Sequence, residues 1–471
     1  MNNSTSTALV VERLRDEIAR GQPGERLTST RRLIESHHVS PVTVAKALAL
    51  LAAEGAIVTR PGAGSFIGPR RAVGARADYS WQTVALEDRA TDPGPMNSML
   101  SIEGEDGMIP LGTGFPHRSL LCGPALGGAL ARAGRLPDAW DAPPVRGLRG
   151  LRTWFAQAAG GTVDRADVII TGGGQAAIST TVRALIPAGG ALLVESPTYP
   201  GTLQVARSAS VRTVPVPTDR DGVIPELLAE AFARTGARAF YCQPTFHNPT
   251  GTVLAPARRE AVIAVAAAAG AFIIEDDFAH WLSHGRPSPP ALLTGDDDGR
   301  VVYLTSLSKA ASPSLRVGAL IARGPVAERL ASMRLIDDLF VARAIQEAAL
   351  DLVSRPAWHR HQRALAIALT RRCQLLAAAI GRHLPATTLD LHPRGGLHLW
   401  LRLPSRIDDV AVAAEAHRAG VAVVPGRGFF PAEPSAPHLR LTFSAVFDEA
   451  DLEVGITRLA RAAPALAELS T

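Results

Sequence analysis

Apolar positions recur along this chain at two spacings, and the change between them divides it. Residues 7–22 place Leu9, Val10, Leu14 and Ile18 at helical intervals, which predicts an amphipathic helix. The segment GQPGER breaks it, and a second short helix is expected from Ser29 to His37. A third has clear end signals: Ser40 as N-cap, Pro41 at the first helical position, and Gly55 placed to stop it. IVTR, PGAG and SFIG then read as strand, tight turn and strand. Residues 69–104 are rich in Pro, Gly, Asp and Ser without a sustained period, and predict a linker. Across 105–471, β-like apolar runs alternate with helical stretches. DVIITG, ALLVESP, RAFYCQP and AFIIEDD lie between Ala-rich helical segments, and VVYLTS and VGALIARG follow. That alternation predicts a mostly parallel sheet with helices on both faces. Beyond about residue 335 a long helical stretch leads to a smaller α/β part, with GGLHLWLRLP, VAVVPG and HLRLTFS as strand candidates.

The fold class expected is therefore α/β, preceded over residues 1–68 by three helices and a hairpin, the outline of a winged helix-turn-helix. Length agrees, since 471 residues exceed one ordinary domain. No apolar run of about 18 residues lacks a charge, so no membrane span is expected. The start MNNSTSTALVVERLRDEIAR does not read as a signal peptide. Cys122, Cys242 and Cys373 are scattered, which suits buried thiols in a reducing cytoplasm better than a disulfide framework or a zinc site. Residues 1–70 hold nine Arg and Lys against six acids, an excess compatible with a phosphate-facing surface. Lysine usage is the sharper fact. Lys46 and Lys309 are the only two, and arginine serves elsewhere. A lysine kept in such a chain asks for chemistry that arginine cannot supply.

Candidate chemistry collects at the ends of the predicted strands, where open α/β sheets bind ligands. The turn Thr171 to Gln175, TGGGQ, opens a helix whose N-terminus favours an anion, although such a turn alone is usually only a turn. Tyr199 in ESPTYPG could cover a flat ring, or simply pack. Asn248 lies in HNPTG past the next run. Asp276 in IIEDDF could pair with a protonated pyridine nitrogen, or cap a helix. SLSKAASPSLRVG supplies Ser306, Lys309 and Arg316: an amine able to form a Schiff base and a guanidinium able to grip phosphate.

Five such residues in one order resemble the type I pyridoxal-phosphate fold of the aspartate aminotransferase superfamily, over roughly 105–465. The resemblance implies pyridoxal 5'-phosphate as cofactor, with Lys309 as internal aldimine and Asp276 as partner of the ring nitrogen. It implies Asn248 at the ring 3-oxygen and Tyr199 stacked on the ring. Gly173, Gly174, Gln175, Ser306 and Arg316 would form the phosphate cup, and Arg440 would bind an amino-acid carboxylate. Phe278 stands where the family commonly has tyrosine, Gly174 where it commonly has Ser or Thr, and Trp140 where a tyrosine reaches the partner's phosphate. These departures favour cofactor binding over efficient transamination.

The first seventy residues resemble the GntR-type winged helix. The carrying segments are Gly24 to Leu27, Arg31 to Leu33, Val39 to Val44, Glu54-Gly55 and Arg60 to Gly64. The resemblance makes the helix over 40–54 the reader of the DNA major groove, with Arg31, Thr43, Lys46 and Arg60 as contact candidates. Pro41 and Val42 replace the Arg and Asn often found there, so fewer polar base contacts are available. A GntR-type reader followed by an aminotransferase-like domain is the MocR arrangement. It implies a homodimeric regulator bound to double-stranded DNA and modulated by an amine, amino-acid or vitamin B6 effector. An active aminotransferase with a DNA-binding arm is the alternative, and a DNA-binding protein with an inert cofactor fold is a further one.

Overall fold

The computed structural model describes residues 3–69, 78–86, 96 and 107–468. The chain divides into two compact units, residues 1–90 and 91–471.

In the first unit α1 (Asn3–Arg20), α2 (Thr30–His37) and α3 (Pro41–Ala53) precede a hairpin of β1 (Ile57–Arg60) and β2 (Gly64–Ile67). Side-chain oxygens of Ser29 and Ser40 accept from the backbone N–H groups of Arg32 and Thr43, so both helices begin where their cap residues dictate. Pro41 occupies the first turn, where its missing N–H is no loss. Val10, Leu14, Leu33, Val44, Ala47, Leu51, Ile57 and Ile67 form a small closed core. Within the expected linker, Ser80–Leu86 is helical, and most of the remainder lies outside the described residues.

The second unit opens with the two-residue strand β3 (Ile109–Pro110) and builds an eight-stranded sheet. Its members are β4 (Val168–Thr171), β5 (Ala191–Ser196), β6 (Arg212–Asp219), β7 (Gly222–Val223), β8 (Ala239–Cys242), β9 (Phe272–Asp277), β10 (Val301–Ser306) and β11 (Gly318–Ile321). The order is β4-β11-β10-β9-β8-β5-β6-β7. Strands β10, β9, β8, β5 and β6 are mutually parallel, while β11 runs against both its neighbours. Strands β4, β8 and β10 are buried along their whole length, as a sheet covered on both faces requires.

A smaller antiparallel sheet follows, in the order β12-β13-β16-β15. It consists of β12 (Thr388–Leu389), β13 (His398–Arg402), β15 (Val424–Pro425) and β16 (His438–Thr442), while β14 (Val421–Ala422) pairs instead with β3. The 28-residue helix Pro356–His383 links the two sheets. By length and apolarity it could cross a membrane. Here Trp358, Leu365, Leu369, Leu376 and Ile380 lie in the main core.

Candidate functional site

The carboxyl ends of β4, β5, β8, β9 and β10 meet on one side of the large sheet and border a cavity of about 300 Å³. Gly174, Gln175, Tyr199, Asn248, Asp276, Ser306, Lys309, Arg316 and Arg440 all line it. Parallel strands deliver their carboxyl ends to one side, so residues far apart in sequence become neighbours.

Asp276 is the last residue but one of β9, beside β8. The β8/β9 register pairs Tyr241 with Ile274 and Cys242 with Glu275, which carries Gln243 alongside Asp276. Two-residue periodicity then turns Tyr241 and Gln243 to the same face. Tyr241 Oη donates to Asp276 Oδ2 at 2.6 Å and Gln243 Nε2 donates to the same oxygen at 2.7 Å. Burial pushes the carboxyl up to about 6, against the lowering effect of these two bonds. Gln243 also ties Asp276 to Asn248, because its Oε1 accepts the Asn248 N–H at 3.0 Å.

Lys309 follows β10 in a turn. Its Nζ donates to Gly114 O at 2.8 Å and lies 3.6 Å from the centre of the Phe115 ring. Burial, then the charges of Arg440 and Arg316, lower its amine to about 7. A neutral amine is the nucleophilic form, so this lysine is poised near neutral pH.

The end of the cavity at the Gly173 turn is built from backbone and the Arg316 guanidinium. Gly173 caps the helix Gly174–Leu185 at φ 93°, a conformation that favours glycine. A side chain there would bring its Cβ to 2.8 Å from Arg316 Nη2. Arg316 donates to Gly172 O at 2.6 Å and to Ser308 Oγ at 3.4 Å, which fixes its guanidinium against the turn. Tyr199 Oη donates to Gln175 Oε1 at 3.0 Å, holding the ring over the cavity. Its ring leaves no room at Gly201, where a Cβ would come within 2.3 Å of Cε1.

Arg440 is 1% exposed and has no carboxylate partner among the described residues. It donates to Gly112 O at 2.6 Å and to Asn248 Oδ1 at 3.4 Å. Burial lowers it to about 9. Sequence reasoning missed Gln243, Tyr241, Ser308, Phe115 and His398. Gln243 and Tyr241 carried a usable signal, since both lie in the run YCQP that leads to Asn248.

In the first unit the expected DNA-facing residues separate. Arg31, Lys46 and Arg60 are exposed, with Arg31 Nε bonded to Glu35 and the Arg60 guanidinium 5.0 Å from the centre of the Phe66 ring. Thr43 is 4% exposed and its hydroxyl bonds Ser40 Oγ at 2.9 Å. Thr43 is thus buried at the start of α3, unlike the other three candidates, which are exposed. The outer face of α3 presents Val42, Ala45, Lys46 and Ala49.

Such a sheet, with an amine, a carboxylate and an anion cup at its strand ends and a small antiparallel domain behind it, defines an aminotransferase-type body. The chain belongs to the aminotransferase class I and II family, whose model matches residues 109–459. A bacterial regulatory gntR-family model matches residues 7–67, so the chain has the MocR arrangement. It is 30% identical to the uncharacterized HTH-type transcriptional regulator YjiR of Escherichia coli, across 89% of this chain and 90% of that one. It is 27% identical to 2-aminoadipate transaminase of Thermus thermophilus, across 79% and 94% respectively. Among solved structures, α-aminoadipate aminotransferase LysN from the same organism, complexed with N-(5'-phosphopyridoxyl)-L-leucine, superposes with a TM-score of 0.76. That match has 26% identity and covers 82% of this chain and 99% of that one.

The cofactor this family implies is pyridoxal 5'-phosphate, and the residues fit it. The Gly173 turn, Ser306, Ser308 and Arg316 suit a phosphate, and Asp276 suits a pyridinium nitrogen. Asn248 suits the ring oxygen, Tyr199 a ring face and Lys309 an aldehyde carbon.

Proposed function

We propose that this protein is a cytoplasmic, homodimeric transcription regulator whose DNA binding responds to an effector held in the pyridoxal-phosphate cavity. The carrying observation is that Lys309, one of two lysines, shares a single cavity with Asp276, Tyr199 and Arg316. Bound there, the vitamin would supply an electrophilic carbon to Lys309 Nζ. An amine, an amino acid or the vitamer itself would then be sensed through its different affinity for two states of the body. In the reader, Arg31, Lys46 and Arg60 are the candidate phosphate and base contacts, and α3 the major-groove helix. Trp140, 82% exposed, stands where the resemblance places a contact to the partner's phosphate, which fits a dimer.

The test is a spectrum of the purified full chain with added pyridoxal phosphate. We expect a visible band that Lys309→Ala abolishes. Identical spectra for the two proteins would overturn the reading and leave an inert scaffold. A second reading, an aminotransferase with a DNA-binding arm, is favoured by Arg440, which lines the cavity with no carboxylate partner among the described residues, and by the similarity to 2-aminoadipate transaminase. Steady turnover of an amino donor with a keto acid would select it. Ligand capture without product release, together with a changed affinity for DNA, would select the regulator.

A further inference from the structure

Two buried side-chain nitrogens on one wall of the cavity lack a hydrogen-bond partner among the described residues: Arg440 Nε and His398 Nε2. Buried polar atoms are nearly always paired, so two orphans in one place call for an explanation. They sit on adjacent strands. The β13/β16 register pairs Trp400 with Arg440 and His398 with Thr442. Alternate residues of a strand share a face, which makes His398 and Arg440 diagonal neighbours on the same side of the sheet. His398 is 6% exposed and lines the cavity together with Arg440 and Lys309. The only carboxylate lining that cavity among the described residues is Asp276, already engaged by Tyr241 and Gln243.

We propose that His398 is a specificity-determining residue that binds, jointly with Arg440, the carboxylate of an amino-acid effector. One carboxylate has enough lone pairs to accept from both orphans. With its proton on Nε2 the imidazole donates to one oxygen while the guanidinium holds the other. Burial, with the charges of Arg440 and Lys309, holds the imidazole neutral, so it does not repel the neighbouring guanidinium. The site therefore favours amines that carry a carboxylate over simple amines. This inference rests on the cofactor reading above and narrows its effector class.

The test uses the full chain freed of cofactor and two reduced adducts, N-(5'-phosphopyridoxyl)-L-leucine and N-(5'-phosphopyridoxyl)-3-methylbutylamine, which differ by one carboxylate. The unaltered protein should bind the leucine adduct more tightly. His398→Leu should weaken the leucine adduct by about ten- to a hundredfold, as loss of a charge-assisted hydrogen bond requires, and leave the amine adduct unchanged. His398→Gln, which keeps an N–H at similar reach, should restore most of the preference. The amine adduct also reports whether each variant is folded. Equal weakening of both adducts, or an unaltered leucine adduct, would overturn the role of His398. Failure of the unaltered protein to bind either adduct would instead sink the cofactor reading, and this inference with it.

Discussion

Replacing Gln243 by leucine tests whether the ring-nitrogen carboxylate is held in working order by its neighbours. The side chain donates to Asp276 Oδ2 at 2.7 Å and accepts from Asn248 N at 3.0 Å, so the change disturbs two residues proposed to hold the cofactor. A hydrogen bond to a charged group contributes about 1.5–3 kcal/mol, and an orphaned buried N–H costs about 1–3 kcal/mol. At about 1.4 kcal/mol per pKa unit, loss of the first bond raises the Asp276 carboxyl by about one to two units. It starts at about 6. The variant carboxyl therefore titrates at about 7 to 8, and at neutral pH a large share of it is protonated and cannot pair with a pyridinium. The sign follows: affinity for pyridoxal phosphate should fall as pH drops through about 6 in the unaltered chain, and through about 7 to 8 in Gln243→Leu. The cofactor's own phosphate also titrates near 6, but it does so in both proteins, and the difference between the curves isolates Asp276. Equilibrium binding of the vitamin from acid to mildly alkaline pH reads the shift. Superimposable curves would refute the argument that Gln243 maintains this carboxylate.

Three other perturbations address separate parts of the molecule. With Lys309 lowered to about 7 and the free base as the nucleophile, capture of pyridoxal phosphate should accelerate as pH rises through about 7 and then level off. Stopped-flow absorbance measures this, and a rate still climbing towards the ordinary lysine range near 10.4 would contradict it. Gly173→Ala puts a Cβ 2.8 Å from Arg316 Nη2 at a residue with φ 93°. Strain of about 1–3 kcal/mol should weaken cofactor binding by about five- to a hundredfold in equilibrium dialysis, and unchanged affinity would place the phosphate elsewhere. Lys46→Ala should weaken duplex binding across sequences and reduce the salt slope by about one, while Thr43→Val should leave that slope intact and destabilise the reader by about 1 kcal/mol. The opposite pattern in a salt titration would reverse the roles assigned to the two residues.

Signals that act locally were legible in the sequence. Ser29, Ser40 and Pro41 set the starts of α2 and α3, because caps and proline act through the nearest few backbone groups. The runs that became β4, β5, β8, β9 and β10 stood out since strands buried on both faces are continuously apolar. Strand β6 did not stand out. Its segment RTVPVPTD carries Pro215 and Pro217, which argue against a strand, yet it pairs in parallel with β5. The antiparallel course of β11 was equally hidden, because the apolarity of a strand carries no direction. At the site, residues named for their own chemistry converged, whereas Gln243 and His398 matter through register across strands. Register is a property of two segments, and neither segment alone contains it. Thr43 shows the same limit in reverse: a polar residue at the start of α3 turned inward to complete a cap.

Phe278 bears on whether the cavity holds a ligand or converts it. It lines the cavity without a hydroxyl, so Asn248 would be the remaining donor to the ring oxygen. The Asn248 carbonyl oxygen is engaged by Arg440, which directs the amide N–H group to that role. One neutral hydrogen bond fewer is worth about 1 kcal/mol, or about fivefold. Binding of the vitamin draws on the phosphate cup, the ring nitrogen, the ring face and Lys309 together, and a fivefold loss among so many contacts leaves it intact. For turnover, Asn248 would have to hold the ring oxygen alone in the transition state as well as in the bound state, so the same loss would fall on the rate. A substitution at this one position would therefore weigh more heavily on catalysis than on retention, which supports the proposed regulator over the aminotransferase reading.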